Sequence, residues 1–154
     1  MNITIITDAS HCHRTLAAGY GYWIASERGK FGGGNALRGH IATSTLAEMM
    51  SLVNAVYIAV AKGIVLKSDH ILLQNDCEAA LHALDGSRKK LSNKERKVRK
   101  SLYKLKNEVG FTLSFRHVKG HTGLAEARYV TNELCDRRAK AGLQKAREAL
   151  NGTV

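Results

Sequence analysis

With 154 residues, 44% of them hydrophobic, the chain has enough apolar material for one core and too little length for two substantial domains. A formal net charge of +11 points to a polyanionic partner, most often a nucleic acid. There is no proline, no Ser/Gly-rich linker, no signal-like amino terminus and no apolar run of obvious membrane-spanning length, which speaks against a tethered module, export or membrane insertion. The expectation is a single cytoplasmic domain over residues 1–150, with a short tail at 151–154, acting as a monomer without membrane contact. Cys12, Cys77 and Cys135 cannot all pair within one chain and show no C-x-x-C spacing, so reduced thiols are expected.

In chain order, Asn2 to Asp8 reads as a strand apolar on both faces through Ile3, Ile5 and Ile6, hence central in a sheet, and it ends on Asp8. A carboxylate at the tip of a buried strand is costly unless it is hydrogen-bonded, paired or bound to a metal. A loop with His11, Cys12, His13 and Arg14 follows; its residues lack the third and fourth ligands of a zinc site. Ala18 to Ser26 alternates glycines with Tyr20, Tyr22 and Ile24, a strand with its large side chains on one face. Glu27-Arg28-Gly29 turns into a third strand from Lys30 to about Ala42, where Gly32, Gly33 and Gly34 indicate bulging or close backbone approach.

From Thr43 to Lys62 the period changes to that of a core-packed helix, stopped by Gly63. Thr45-Leu46-Ala47-Glu48 has the form of a capping box, which would employ Glu48 on a backbone N–H. His70 to Asn75 is a short strand leading to a second acid, Asp76, and a helix then runs from about Cys77 to Leu84 and breaks at Gly86. Ser92 and Glu95 form another capping-box pattern. The helix they open has a narrow apolar stripe of Val98, Leu102, Leu105 and Val109 on a basic surface. Between Gly86 and Lys106 ten basic residues face one acid, so most of the excess charge is local. Phe111 to Val118 alternates as a half-buried strand, residues 119–123 form a glycine-punctuated loop, and Glu126 to about Leu150 is a final helix carrying Asn132 and Asp136.

The order β-β-β-α-β-α-α-β-α predicts an α/β fold with a mixed five-stranded sheet, three antiparallel strands then two parallel ones, flanked by helices. That topology sets Asp8 and Asp76 at one sheet edge, where ligand sites of α/β folds form, and Glu48 and Asp136 can converge there. Four carboxylates repel unless something positive lies between them. Hard oxygen ligands suit Mg²⁺ or Mn²⁺, and two such ions can hydrolyse a phosphodiester.

The fragments Ile-Thr-Asp-Ala-Ser at 6 to 10, Leu-Ala-Glu-Met at 46 to 49, Leu-Gln-Asn-Asp-Cys at 73 to 77, Val-Lys-Gly-His-Thr-Gly at 118 to 123 and Asn-Glu-Leu-Cys-Asp-Arg-Arg-Ala at 132 to 139 occur in one order and spacing. Together they resemble type 1 ribonuclease H over nearly the full length. The resemblance implies a ribonuclease H-like fold and an endoribonuclease cutting the RNA strand of RNA/DNA hybrids with two Mg²⁺ ions, Mn²⁺ being a possible substitute. It implies metal binding by Asp8, Glu48, Asp76 and Asp136, with His121 as the mobile-loop histidine that assists the attacking water or product release. Ser10, Thr43, Ser44 and Asn132 would then contact substrate. The basic helix with its approach, including Arg88, Lys89, Lys97, Arg99 and Lys100, would be the substrate-binding handle. Ser44 and Thr45 stand where the family commonly carries paired asparagines, which bears on recognition of the RNA 2′-hydroxyls. The competing readings are a resolvase-like nuclease of the same fold, which the Val-Lys-Gly-His loop disfavours, and a non-catalytic hybrid or double-stranded RNA binder. The latter would gain nothing from clustered acids.

Overall fold

A computed structural model describes residues 1–119 and 127–151, with the backbone alone for 127–130 and 132. The strands are β1 (Asn2–His11), β2 (Ala18–Ser26), β3 (Gly29–Ala36), β4 (His70–Asn75) and β5 (Thr112–His117). The helices are α1 (Ser44–Ala61), α2 (Glu78–Asp85), α3 (Asn93–Val109) and α4 (Ala127–Leu150). The sheet order is β3-β2-β1-β4-β5, antiparallel on the β3-β2-β1 side and parallel across β1-β4-β5. β1 is central, as its two apolar faces require.

One face of the sheet is covered by α1, α2 and α3. Ile3, Ile5, Tyr20, Tyr22 and Ile24 meet Met49, Leu52, Val53 and Val56 there, with Leu102, Leu105 and Phe111 closing the far side. Each fully buried aliphatic or aromatic side chain contributes on the order of 2 kcal/mol through desolvation, and this cluster supplies most of the driving force for folding. Among the described residues α1 alone is long and apolar enough to cross a membrane, which corrects the expectation of no such run; its buried face marks it as the core helix instead.

α4 covers the other face, seating Cys135 against Ile6, Val118 and Trp23. It lies almost on the sheet backbone. A Cβ on Gly21 would sit 2.2 Å from the Cys135 carbonyl oxygen, and one on Gly19 would sit 2.0 Å from the Leu143 nitrogen. The glycines of β2 are therefore contact surfaces for α4, and Gly34 of β3, 3.0 Å in the same sense from Arg138 Cβ, extends that close approach.

Three expectations shift. β1 runs past Asp8 to His11, and β3 ends at Ala36 rather than near Ala42. The third concerns Glu48: the cap of α1 is Thr43, whose hydroxyl accepts from Leu46 N at 3.1 Å, so Glu48 lies too deep in the helix to complete a capping box and its carboxylate is used elsewhere. The Ser92–Glu95 box is real, Glu95 Oε1 accepting from Ser92 N at 2.9 Å.

Candidate active site

The site arises where two strands part. β1 and β4 pair in parallel as far as Ile6 and Gln74, whereas β1 stays paired with β2 from Thr4 to His11. Asp8 lies two residues beyond the last parallel pair and Asp76 follows the end of β4, so both carboxylates enter the crevice left by that divergence. Glu48 reaches it from α1. Ligand oxygens of Asp8, Glu48 and Asp76 lie within 4.8 Å of one another. Asp136, in α4, lies near enough to Asp8 to help raise its pKa and has Lys140 Nζ 3.1 Å from its Oδ2.

A polar frame holds these acids. Ala9 N donates to Glu48 Oε1 at 2.8 Å and to Asp8 Oδ1 at 3.0 Å. The fully buried Asn75 amide donates to Thr7 Oγ1 at 3.0 Å and to Glu48 Oε1 at 3.2 Å. Thr7 and Ser51 hydroxyls stand 3.0 Å apart, and Ser51 Oγ donates to the Glu48 carbonyl at 2.7 Å. Asn75 Oδ1 accepts from Cys77 N at 2.7 Å, which shapes the turn carrying Asp76, and His117 Nε2 lies 3.0 Å from the Asp76 carbonyl oxygen. Sequence reasoning misses Thr7, Ser51, Asn75 and His117; the signal for Thr7 and Asn75 is a polar residue beside each aspartate in an otherwise apolar strand.

Asp8 is 4% exposed, and burial followed by the charges of Glu48 and Asp76 pushes it up to about 9. Burial and Asp76 push Glu48 up to about 8, against the opposing hydrogen bonds from Asn75 and Ala9. Protein groups alone thus leave protons on the cluster at neutral pH. Among the described residues no cationic side chain pairs with Asp8 or Glu48. A buried cluster of hard oxygen donors fits a divalent cation of the Mg²⁺ or Mn²⁺ type.

The other candidates spread outward. Ser10 is half-buried on β1, two residues past Asp8; Thr43 caps α1, and Ser44 is exposed at its first turn. Arg88 is tied to the buried Glu95 at 2.9 Å, which gives it a structural duty, while Lys89, Lys97 and Lys100 are exposed and Arg99 is half-buried. Lys94 and Lys97 rim a groove of about 380 Å³ whose floor is Ile41, Leu46 and Met50 and whose opposite rim holds Arg38 and His40, two residues that sequence reasoning does not single out. His121 and the side chain of Asn132 lie outside the described residues. His11, Cys12 and His13 do not assemble a metal site: His11 Nε2 donates to the Ile41 carbonyl at 2.6 Å and Cys12 Sγ accepts from Arg147 at 3.5 Å.

A family model described as RNase H matches residues 1–144. The chain belongs to the RNase H family. No curated protein matches it. Among solved structures it is similar to RNase H1 from the halophilic archaeon Halobacterium salinarum NRC-1, with a TM-score of 0.73 and 23% identity over 95% of this chain and 100% of that one. LC11-RNase H1 in complex with RNA/DNA hybrid gives a TM-score of 0.70 at 16% identity, covering 94% and 99% of the two chains. The N-terminal RNase H domain of rv2228c from Mycobacterium tuberculosis gives 0.69 at 16% identity, covering 96% and 97%. At these identities the structures establish a shared fold, and the family match establishes the kinship. Membership of the RNase H family accords with a nuclease that hydrolyses nucleic acid and with a cluster able to bind metal.

Proposed function

We propose that the protein is an endoribonuclease that hydrolyses the RNA strand of RNA/DNA hybrids by two-metal-ion catalysis, leaving 5′-phosphate and 3′-hydroxyl ends. Mg²⁺ is the proposed metal, with Mn²⁺ as a substitute, and the protein acts as a cytoplasmic monomer. The observation that carries this reading is the convergence of Asp8, Glu48 and Asp76 within 4.8 Å in the crevice between β1 and β4. The family match and the LC11-RNase H1 complex with RNA/DNA hybrid support the choice of substrate.

Divalent ions, when bound, supply Lewis acidity for water activation and for the leaving oxygen. The chain supplies the rest. Asp8, Glu48, Asp76 and Asp136 hold the ions. Ala9 and Asn75 aim the Glu48 carboxylate, because two N–H donors on Oε1 fix its orientation. The basic α3 and the groove beside it hold backbone phosphates, and His121 assists the attacking water or product release. Clustered acids would weaken a protein that only bound phosphates, so a non-catalytic role is disfavoured. Asp76→Asn tests the assignment. Cleavage should vanish while hybrid binding persists or tightens, and cleavage at the wild-type rate would refute the metal-ligand role.

A further inference from the structure

The acid that follows β4 stands on a peptide unit gripped at both edges. The unit joins Asp76 to Cys77. Its N–H, on Cys77, donates to Asn75 Oδ1 at 2.7 Å, and its C=O, on Asp76, accepts from His117 Nε2 at 3.0 Å. A peptide unit turns as one rigid plane, so two bonds on opposite edges stop its rotation and set the backbone from which the Asp76 side chain departs. Asn75 and His117 are partners in the parallel β4–β5 pairing, and Val118 N donates to the Asn75 carbonyl at 3.0 Å. Both grips therefore come from one point of the ladder.

The helix that follows does not supply this constraint. Cys77 is the N-cap of α2 and, among the described residues, makes no side-chain cap hydrogen bond. His117 extends its hold to the first residue of α2, with Nδ1 3.3 Å from Glu78 Oε1, so one imidazole spans residues 76 to 78. The ring borders a cavity of about 190 Å³, which leaves its two polar contacts to orient it.

We propose that His117 is a positioning residue for the metal site: by holding the Asp76 carbonyl it keeps the Asp76 carboxylate turned towards Asp8 and Glu48. This rests on the reading of Asp76 as a metal ligand. Partners that orient a ligand without touching the ion typically account for roughly 10–100-fold in affinity or activity. Three substitutions separate the contacts of His117. Glutamine places an amide nitrogen where Nε2 stands and keeps the bond to the Asp76 carbonyl. Asparagine places one where Nδ1 stands and keeps only the contact with Glu78. Alanine keeps neither.

The test is calorimetric titration of Mg²⁺ into the full chain, with melting temperatures and hybrid-cleavage rates measured on the same samples. Mg²⁺ affinity should fall about tenfold or more in His117→Ala and His117→Asn, and stay within about threefold of wild type in His117→Gln. The Mg²⁺ concentration giving half-maximal cleavage should rise in the same order, with KM for the hybrid unchanged. Unaltered affinity in His117→Ala would overturn the proposal. So would affinity kept in His117→Asn or lost in His117→Gln, or losses that follow melting temperature across all three variants, the pattern of a purely structural residue. A wild-type chain that binds Mg²⁺ but cuts no hybrid would refute the proposed activity, and the Mg²⁺ comparison among the variants would still decide the role of His117.

Discussion

The Asn75 amide donates to Glu48 Oε1 at 3.2 Å, joining the residue before one crevice acid to a second acid on another element. The same amide donates to Thr7 Oγ1 at 3.0 Å, next to Asp8. One buried side chain therefore sets the relative positions of three carboxylates. Asn75→Ala should lower Mg²⁺ affinity or kcat by roughly 10–100-fold, the usual consequence of losing an outer-shell partner. It should also reduce stability by about 1–3 kcal/mol, because Thr7 loses a donor in a buried setting. Metal titration and thermal melting measure the two effects; unchanged Mg²⁺ affinity would show that Glu48 is positioned without Asn75.

Asp8 and Glu48 set a pH dependence of stability in chelator. An acid raised on folding destabilises the fold as pH rises: below about 4 both states hold the proton, and above that only the unfolded chain releases it. For Asp8 that interval extends up to about 9. Asp8→Asn should therefore stabilise the metal-stripped protein at pH 8, by an amount on the order of 2 kcal/mol, with the gain fading towards pH 4. Melting curves across this range decide it. Mg²⁺ binding should release protons near neutral pH, visible as a buffer-dependent heat.

The groove between α3 and the start of α1 directs a prediction about charge. Lys97 lines it, and Lys100 is exposed one turn further along α3. Replacing Lys97, Arg99 and Lys100 with alanine should weaken hybrid binding at low salt. It should also reduce the slope of log K against log salt by about 0.9 for each phosphate that is no longer neutralised. Binding across a salt series measures this; an unchanged slope would remove α3 from the interface.

Gly21 and the Cys135 carbonyl give a packing prediction. A methyl group at Gly21 would lie 2.2 Å from that oxygen, a backbone atom that moves only with α4. Gly21→Ala should cost roughly 1–3 kcal/mol through overpacking, and cleavage should fall further than stability because Asp136 follows Cys135 in the displaced helix. Melting temperature and kcat compared in one variant test the coupling.

Much of this is legible in the chain because local pattern and tertiary role agree. The alternation of β2, the apolar faces of β1, the Gly63 and Gly86 stops and the Ser92–Glu95 box each reflect one dominant local force, and the structure follows them. Glu48 is harder. Thr43, Ser44 and Thr45 offer three adjacent hydroxyls, and local spacing selects Thr45, whereas the fold uses Thr43 and sends Glu48 to Ala9 and Asn75. The overrun of β1 past Asp8 depends on antiparallel pairing with β2 continuing after β4 has diverged, a fact of register between distant segments. The Thr7–Ser51–Asn75 frame likewise joins residues 44 and 68 apart in sequence, a distance no local pattern spans.

The most direct test of hybrid-specific, metal-dependent cleavage is strand-resolved digestion of labelled RNA/DNA, RNA/RNA and DNA/DNA duplexes with Mg²⁺, with Mn²⁺ and with chelator. Cuts confined to the RNA of the hybrid, ending in 5′-phosphate and 3′-hydroxyl groups and abolished by chelator, are the expected result. They would show that Ser44 and Thr45 suffice where the family commonly has asparagines. Cleavage of DNA/DNA, cleavage that persists in chelator, or hybrid binding without any cut would contradict the proposed activity.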